Sequence, residues 1–151
     1  MVQTKCGFDD SPGAPGSQLL VNFGPTLFVD IGFDPTWKAY IGIPVSGIQK
    51  VEALVDTGAS ECCIDNLLAS QISLPIVDRR TISGIHGSQT ANVYLAQVYI
   101  PSLNFTMHGA FAGVDLQAGG QRHSALIGRT MLNHFTMIYE GRTGTVTLSN
   151  D

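Results

Sequence analysis

The chain has 151 residues, 44% of them apolar and 13% charged, with a formal net charge of -4. That is enough for one domain with a sizeable core, too little for two, and globular in composition. The densest basic spot is Arg79-Arg80, and no apolar run approaches the ~18 residues of a membrane-spanning helix, so neither nucleic acid nor membrane is expected as a partner.

Residues 1–17 read as a flexible Pro/Gly-rich tail, because Pro12, Gly13, Pro15 and Gly16 oppose helix and strand alike. The ordered domain is expected over residues 18–151. Residues 18–23 and 26–33 read as strands around Gly24-Pro25, and 38–45 as a third strand ended by Ser46-Gly47. Residues 49–55 form a fourth, delivering Asp56 to a turn, and 61–64 a short extended piece. Asp65 is placed to cap a brief helix over 66–71 that stops before Pro75.

Gly84 and Gly87 bracket Ile85-His86 as the tip of a hairpin over 81–89. Long strands over 90–100 and 103–112 are hinged at Pro101-Ser102, and 117–123 is a polar glycine loop. The apolar run 124–127 enters Gly128, a short helix follows over 129–134, and strands 136–139 and 143–148 close the chain around Glu140-Gly141-Arg142. With 17 glycines and 7 prolines, a mainly-β domain of about ten strands and two short helices is expected.

The chemistry concentrates at Val55-Asp56-Thr57-Gly58-Ala59-Ser60. An apolar strand delivers a carboxylate into a tight turn, and a carboxylate at a buried strand end is costly unless it has chemical work. Gly58 permits close backbone approach, and Thr57 supplies a hydroxyl that donates and accepts. Asp-Thr-Gly occurs once, and no internal repeat is present. About seventy residues downstream, Leu126-Ile127-Gly128-Arg129 places two bulky apolar residues and a glycine before an arginine.

The two segments, with the glycine hairpin between them, resemble the retropepsin-like aspartic peptidases over roughly residues 38–148. The apolar-Asp-Thr-Gly-Ala motif falls on Val55 to Ala59, the apolar-apolar-Gly-Arg motif on Leu126 to Arg129, and the flap on Gly84, Ile85, His86 and Gly87. The resemblance implies a single-lobe, closed-barrel acid-protease fold with one short C-terminal helix. It further implies a two-fold homodimer in which each subunit contributes Asp56, with Thr57 and Gly58 completing the catalytic turn. Substrate, an extended peptide, would meet Ala59, Ser60, Gly84, Ile85, His86 and Gly87. Leu126, Ile127, Gly128 and Arg129 would support the turn, and strand 143–148 would pair with the partner subunit.

The chain departs from the viral pattern at Ser60, where an acid commonly stands two residues after the motif's glycine; Glu61 follows. Arg129 is left with two options, pairing with Glu61 or donating to backbone carbonyls. A peptide-binding or assembly module without hydrolysis is the alternative on the same fold. No cofactor and no metal is expected, because His86, His108, His123 and His134 are scattered and lack ligand spacing. Cys6, Cys62 and Cys63 are odd in number and suit neither a disulfide framework nor zinc, which with no signal-peptide pattern gives a cytoplasmic expectation.

Overall fold

The computed structural model describes residues 1–84 and 87–151. Its first strand corrects the expectation of a free tail. β1 (Gln3–Lys5) pairs antiparallel with β10 (Thr145–Ser149), Gln3 facing Ser149 and Lys5 facing Thr147. Cys6, next in sequence, is only 2% exposed and donates its N–H to Val146 O at 2.8 Å. The Pro/Gly stretch that follows turns the chain into α1 (Gly16–Phe23).

That helix replaces the strand expected at 18–23. Asp10 accepts the Gly16 N–H at 2.7 Å, satisfying one of the free donors of the first turn. Gln18 donates to Asn22 one turn on, at 3.0 Å. Only Gly16 and Leu20 are buried, so the apolar residues lack the period-two burial a strand face needs. The helix stops at Gly24, whose φ of 71° lies in the left-handed region.

The main body is a closed barrel. Its strands are β2 (Thr26–Gly32), β3 (Ile48–Val55), β4 (Cys63–Asp65), β5 (Ile76–Gly84), β6 (Gly87–Ile100), β7 (Phe105–Val114) and β8 (Ala125–Ile127). Neighbours run β2-β3-β8-β4-β7-β6-β5, and a further β2–β6 pairing closes six of them into a ring. β5 is left outside the ring, paired only to β6 as the arm of a long hairpin. Inside, Val29, Ile31, Ala53, Ile64, Ala96 and Ile100 are all at 0% exposure. Each of the valine and isoleucine side chains among these contributes about 1.5–3 kcal/mol by leaving water.

Ring closure explains why no strand forms at 38–45, where one was expected. β2 already has β3 on one side and β6 on the other, so the following segment cannot pair beside it. It turns back on itself instead: Ile41 N donates to Lys38 O, and Trp37 Nε1 to Gly42 O. Tyr40, Ile41, Ile43 and Val45 are left 63–83% exposed.

α2 (Asn66–Gln71) begins where expected, with Asp65 Oδ2 accepting Leu68 N at 3.1 Å. A short 3-10 turn over Pro101–Leu103 links β6 to β7. After β8, α3 (Arg129–Leu132) leads into β9 (Thr136–Glu140), which pairs with β10 to give a second sheet of order β1-β10-β9. Its inner side packs Val146 and Leu148, both at 0% exposure, against the core. Among the described residues, no helix is long and apolar enough to cross a membrane.

Candidate active site

β3 and β8 lie parallel, Val55 opposite Ile127 and Leu54 opposite Leu126. The pairing carries one bond past the strand end, where Asp56 N donates to Ile127 O at 2.9 Å. The backbone of Asp56 is thus fixed by the barrel while its side chain enters the turn. There the Oδ1 atom accepts the Gly58 N–H at 2.9 Å, and Asp56 O accepts Ala59 N at 3.2 Å. Asp56 is half-buried, whereas Thr57, Gly58 and Ser60 are exposed.

The second segment braces this turn from behind. Arg129 N donates to Ala59 O at 2.9 Å and Thr130 N to Ser60 O at 3.1 Å. Gly128 N donates to the buried Cys62 Sγ at 3.4 Å. A Cβ at Gly128 would overlap Glu61 O and lie 2.9 Å from Ala59 O, so the close approach requires glycine. The Arg129 guanidinium reaches across, Nη1 donating to Thr57 O at 2.7 Å. Of the two options open to Arg129, the structure has the bond to a backbone carbonyl.

Glu61 pairs instead with Arg80 of β5, Oε1 to Nη2 at 3.0 Å. This link between the hairpin arm and the turn had no signal in the sequence, because it depends on how the arm folds over the barrel. Arg80 Nε is itself buried without a partner. The arm ends with Gly84 facing Gly87, the latter at φ 102°. Ile85 and His86, expected at the tip, lie outside the described residues.

Burial pushes the Cys63 thiol up to about 11, with Glu61 adding to the effect, and Cys6 up to about 12. Both are therefore poor nucleophiles at neutral pH. The other histidines are engaged separately: His108 with Gln97 at 3.0 Å, His123 with Thr26 at 2.8 Å, and His134 against the Phe105 ring at 5.3 Å. Among the described residues, no group of three or more His, Cys, Asp or Glu is placed to hold a metal ion. A groove of about 550 Å³ between β1, β2 and the 3-10 turn, lined by Thr4, Lys5, Phe28 and Lys50, shares no residue with the Asp56 turn.

The family model described as Aspartyl protease matches residues 41–131. No curated protein matches the chain. Among solved structures, a retropepsin-like aspartic protease from Rickettsia conorii is similar with a TM-score of 0.52 at 11% identity, over 97% of this chain and 89% of that one. EIAV protease complexed with the inhibitor HBY-793 is similar at TM-score 0.48 and 14% identity, over 72% of this chain and 85% of that one. The retroviral protease-like domain of Ddi1 from Leishmania major gives 0.42 and 19%, over 83% and 87%. The Rickettsia likeness is one of fold, the mainly-β single lobe described above.

Proposed function

The chain belongs to the aspartyl protease family, and from that premise we propose that it is a homodimeric aspartic endopeptidase in which each subunit supplies one Asp56. The observation that carries the reading is the Asp56 turn. A carboxylate is held by the Gly58 N–H at 2.9 Å, anchored to β8 through Ile127 O, and its loop stays open at Thr57 and Gly58.

Hydrolysis of an amide without a metal needs a base to activate water and an acid to protonate the leaving nitrogen. Two carboxylates a few ångströms apart cannot both ionise, so a pair sharing one proton supplies both functions. One chain carries one Asp-Thr-Gly, and the second carboxylate comes from a second copy. Water held between the two Asp56 side chains would attack the scissile carbonyl directly, and the proton returned by the dyad would go to the departing amine.

The peptide would lie extended beneath the β5–β6 hairpin, adding its backbone bonds in strand fashion along Ala59, Ser60, Gly84 and Gly87. Ile85 and His86 would close the tip over it and exclude water. Asp56→Asn keeps the shape and removes the acid–base group. Cleavage of unfolded protein substrates at pH 4–6 should fall by at least about 100-fold in this variant, with its melting curve intact. A variant that keeps more than that would remove Asp56 from the mechanism. Wild-type protein that binds peptides but cleaves none would mark a binding module instead.

A further inference from the structure

β1 and β9 occupy both edges of β10, where a partner subunit was expected. β1 also forms one wall of the groove of about 550 Å³ whose other walls are β2, Lys50 of β3 and the 3-10 turn at Pro101-Ser102. Small-molecule sites typically have volumes of about 300–1,000 Å³. No residue of the Asp56 turn or of the β5–β6 hairpin lines the groove, so peptide hydrolysis gives it no role.

The lining has two characters. Leu27, Phe28 and Pro101 are apolar, and the Phe28 ring is 57% exposed on the outer face of the barrel. The charged residues are Lys5 and Lys50, and no acid lines the groove with them. The ion pairs among the described residues are Arg80–Glu61 and Arg122–Glu52, so neither ammonium group is taken. A lysine lays its methylene stem along apolar surface and offers its charged head to an anion. The groove therefore complements a molecule with an apolar body and an anionic head. Neither an arginine fork nor a helix N-terminus of the kind that grips phosphate lines it.

The backbone at Lys50 is a second, independent observation. Val29 faces Val51 and Ile31 faces Ile48, so Gln49 and Lys50 together stand opposite Asp30 as a β-bulge. Lys50 takes the left-handed conformation there, at φ 57°, and its N–H donates to Asp30 Oδ1 at 3.0 Å. Glycine adopts this backbone without steric cost, whereas a lysine is strained in it. Residues strained in this way cluster at ligand sites, and this one lines the groove. We propose that the groove binds a fatty carboxylate, its alkyl chain along Leu27, Phe28 and Pro101 and its carboxylate between the Lys5 and Lys50 ammonium groups. The site stands apart from the Asp56 chemistry, and either reading can fail without the other.

An NMR titration of the ¹⁵N-labelled chain at low salt tests it, with octanoate, octan-1-ol and acetate as probes. Octanoate should shift the Lys5, Gly7, Phe28 and Lys50 amides saturably and leave the Asp56 turn unmoved. Octan-1-ol, without the charge, and acetate, without the chain, should each bind at least about tenfold more weakly. Lys5→Gln and Lys50→Gly should weaken octanoate by at least about fivefold, whereas Lys38→Gln, outside the groove, should not. Lys50→Gly should melt no lower than the wild-type chain, because glycine relieves the left-handed backbone, so its weaker binding is not loss of fold. No saturable shift at the groove, octan-1-ol binding as tightly as octanoate, or wild-type affinity in Lys50→Gly would each overturn the proposal.

Discussion

Asp65 has no solvent exposure, yet its carboxylate is fully engaged: Leu68 N at 3.1 Å, Leu116 N at 2.8 Å and Gln117 N at 3.0 Å all donate to it. One side chain thus starts α2 and ties down the loop after β7. Asp65→Ala leaves the buried Leu68 N–H and the part-buried Leu116 and Gln117 N–H groups without their acceptor, and a loss on the order of 3 kcal/mol is expected in urea unfolding. Asp56 differs in kind, since its loss should cost activity and little stability. His123 sets the acid limit. Thr26 Oγ1 donates to Gly24 O at 3.1 Å and therefore accepts from His123 Nε2–H at 2.8 Å, which leaves Nδ1 buried without a partner. Burial holds the His123 pKa below its usual 6.5; Glu52 opposes the shift and Arg122 assists it. The unfolded chain then binds a proton that the folded chain refuses, so stability should fall as pH drops below about 6.5 and level off beneath the folded pKa. Glu52, held low by its bonds to Arg122, adds a further loss only as pH falls below the ordinary carboxylate range. His123→Gln should flatten the first slope and leave the second; unchanged melting temperatures between pH 7 and 5 in the wild-type chain would contradict this account.

At the level of elements, the Gly128 crossing is the tightest joint of the site. Gly128→Ala places a methyl group against Glu61 O and Ala59 O, so a loss of about 1–3 kcal/mol and of activity together is expected, read by melting and by cleavage rate. Arg80→Gln should behave differently. The Arg80–Glu61 pair is 40% exposed at both ends, and such pairs contribute at most about 1 kcal/mol. Melting should barely move, while KM should rise if the pair positions the arm over substrate. What was legible in the sequence follows the same division. Asp65 as a helix cap, the strand into Asp56 and the glycine hairpin were readable because each is decided by neighbours in the chain. Residues 18–23 and 38–45 misled because both are apolar enough to be strands, and the choice was made elsewhere: by Asp10 accepting from the first turn of a helix, and by β3 and β6 taking both edges of β2. The Arg80–Glu61 contact and the pairing of β1 with β10 join residues far apart, and no local pattern marks them.

The whole chain is a closed barrel with a small sheet attached, and the Asp56 turn is braced on one side and open on the other. On the homodimeric reading proposed above, this turn would be half of a two-fold site, and function would be a property of the pair. The direct test is to hold the wild-type chain at fixed concentration and add Asp56→Asn chain, letting subunits exchange before saturating peptide is supplied. If each site needs two Asp56 carboxylates, mixed dimers are inactive. A roughly fourfold excess of the variant should then cut the cleavage rate to about a fifth, as random pairing dictates. A rate that stays constant across the titration would show that one chain carries a complete site, contradicting the shared dyad.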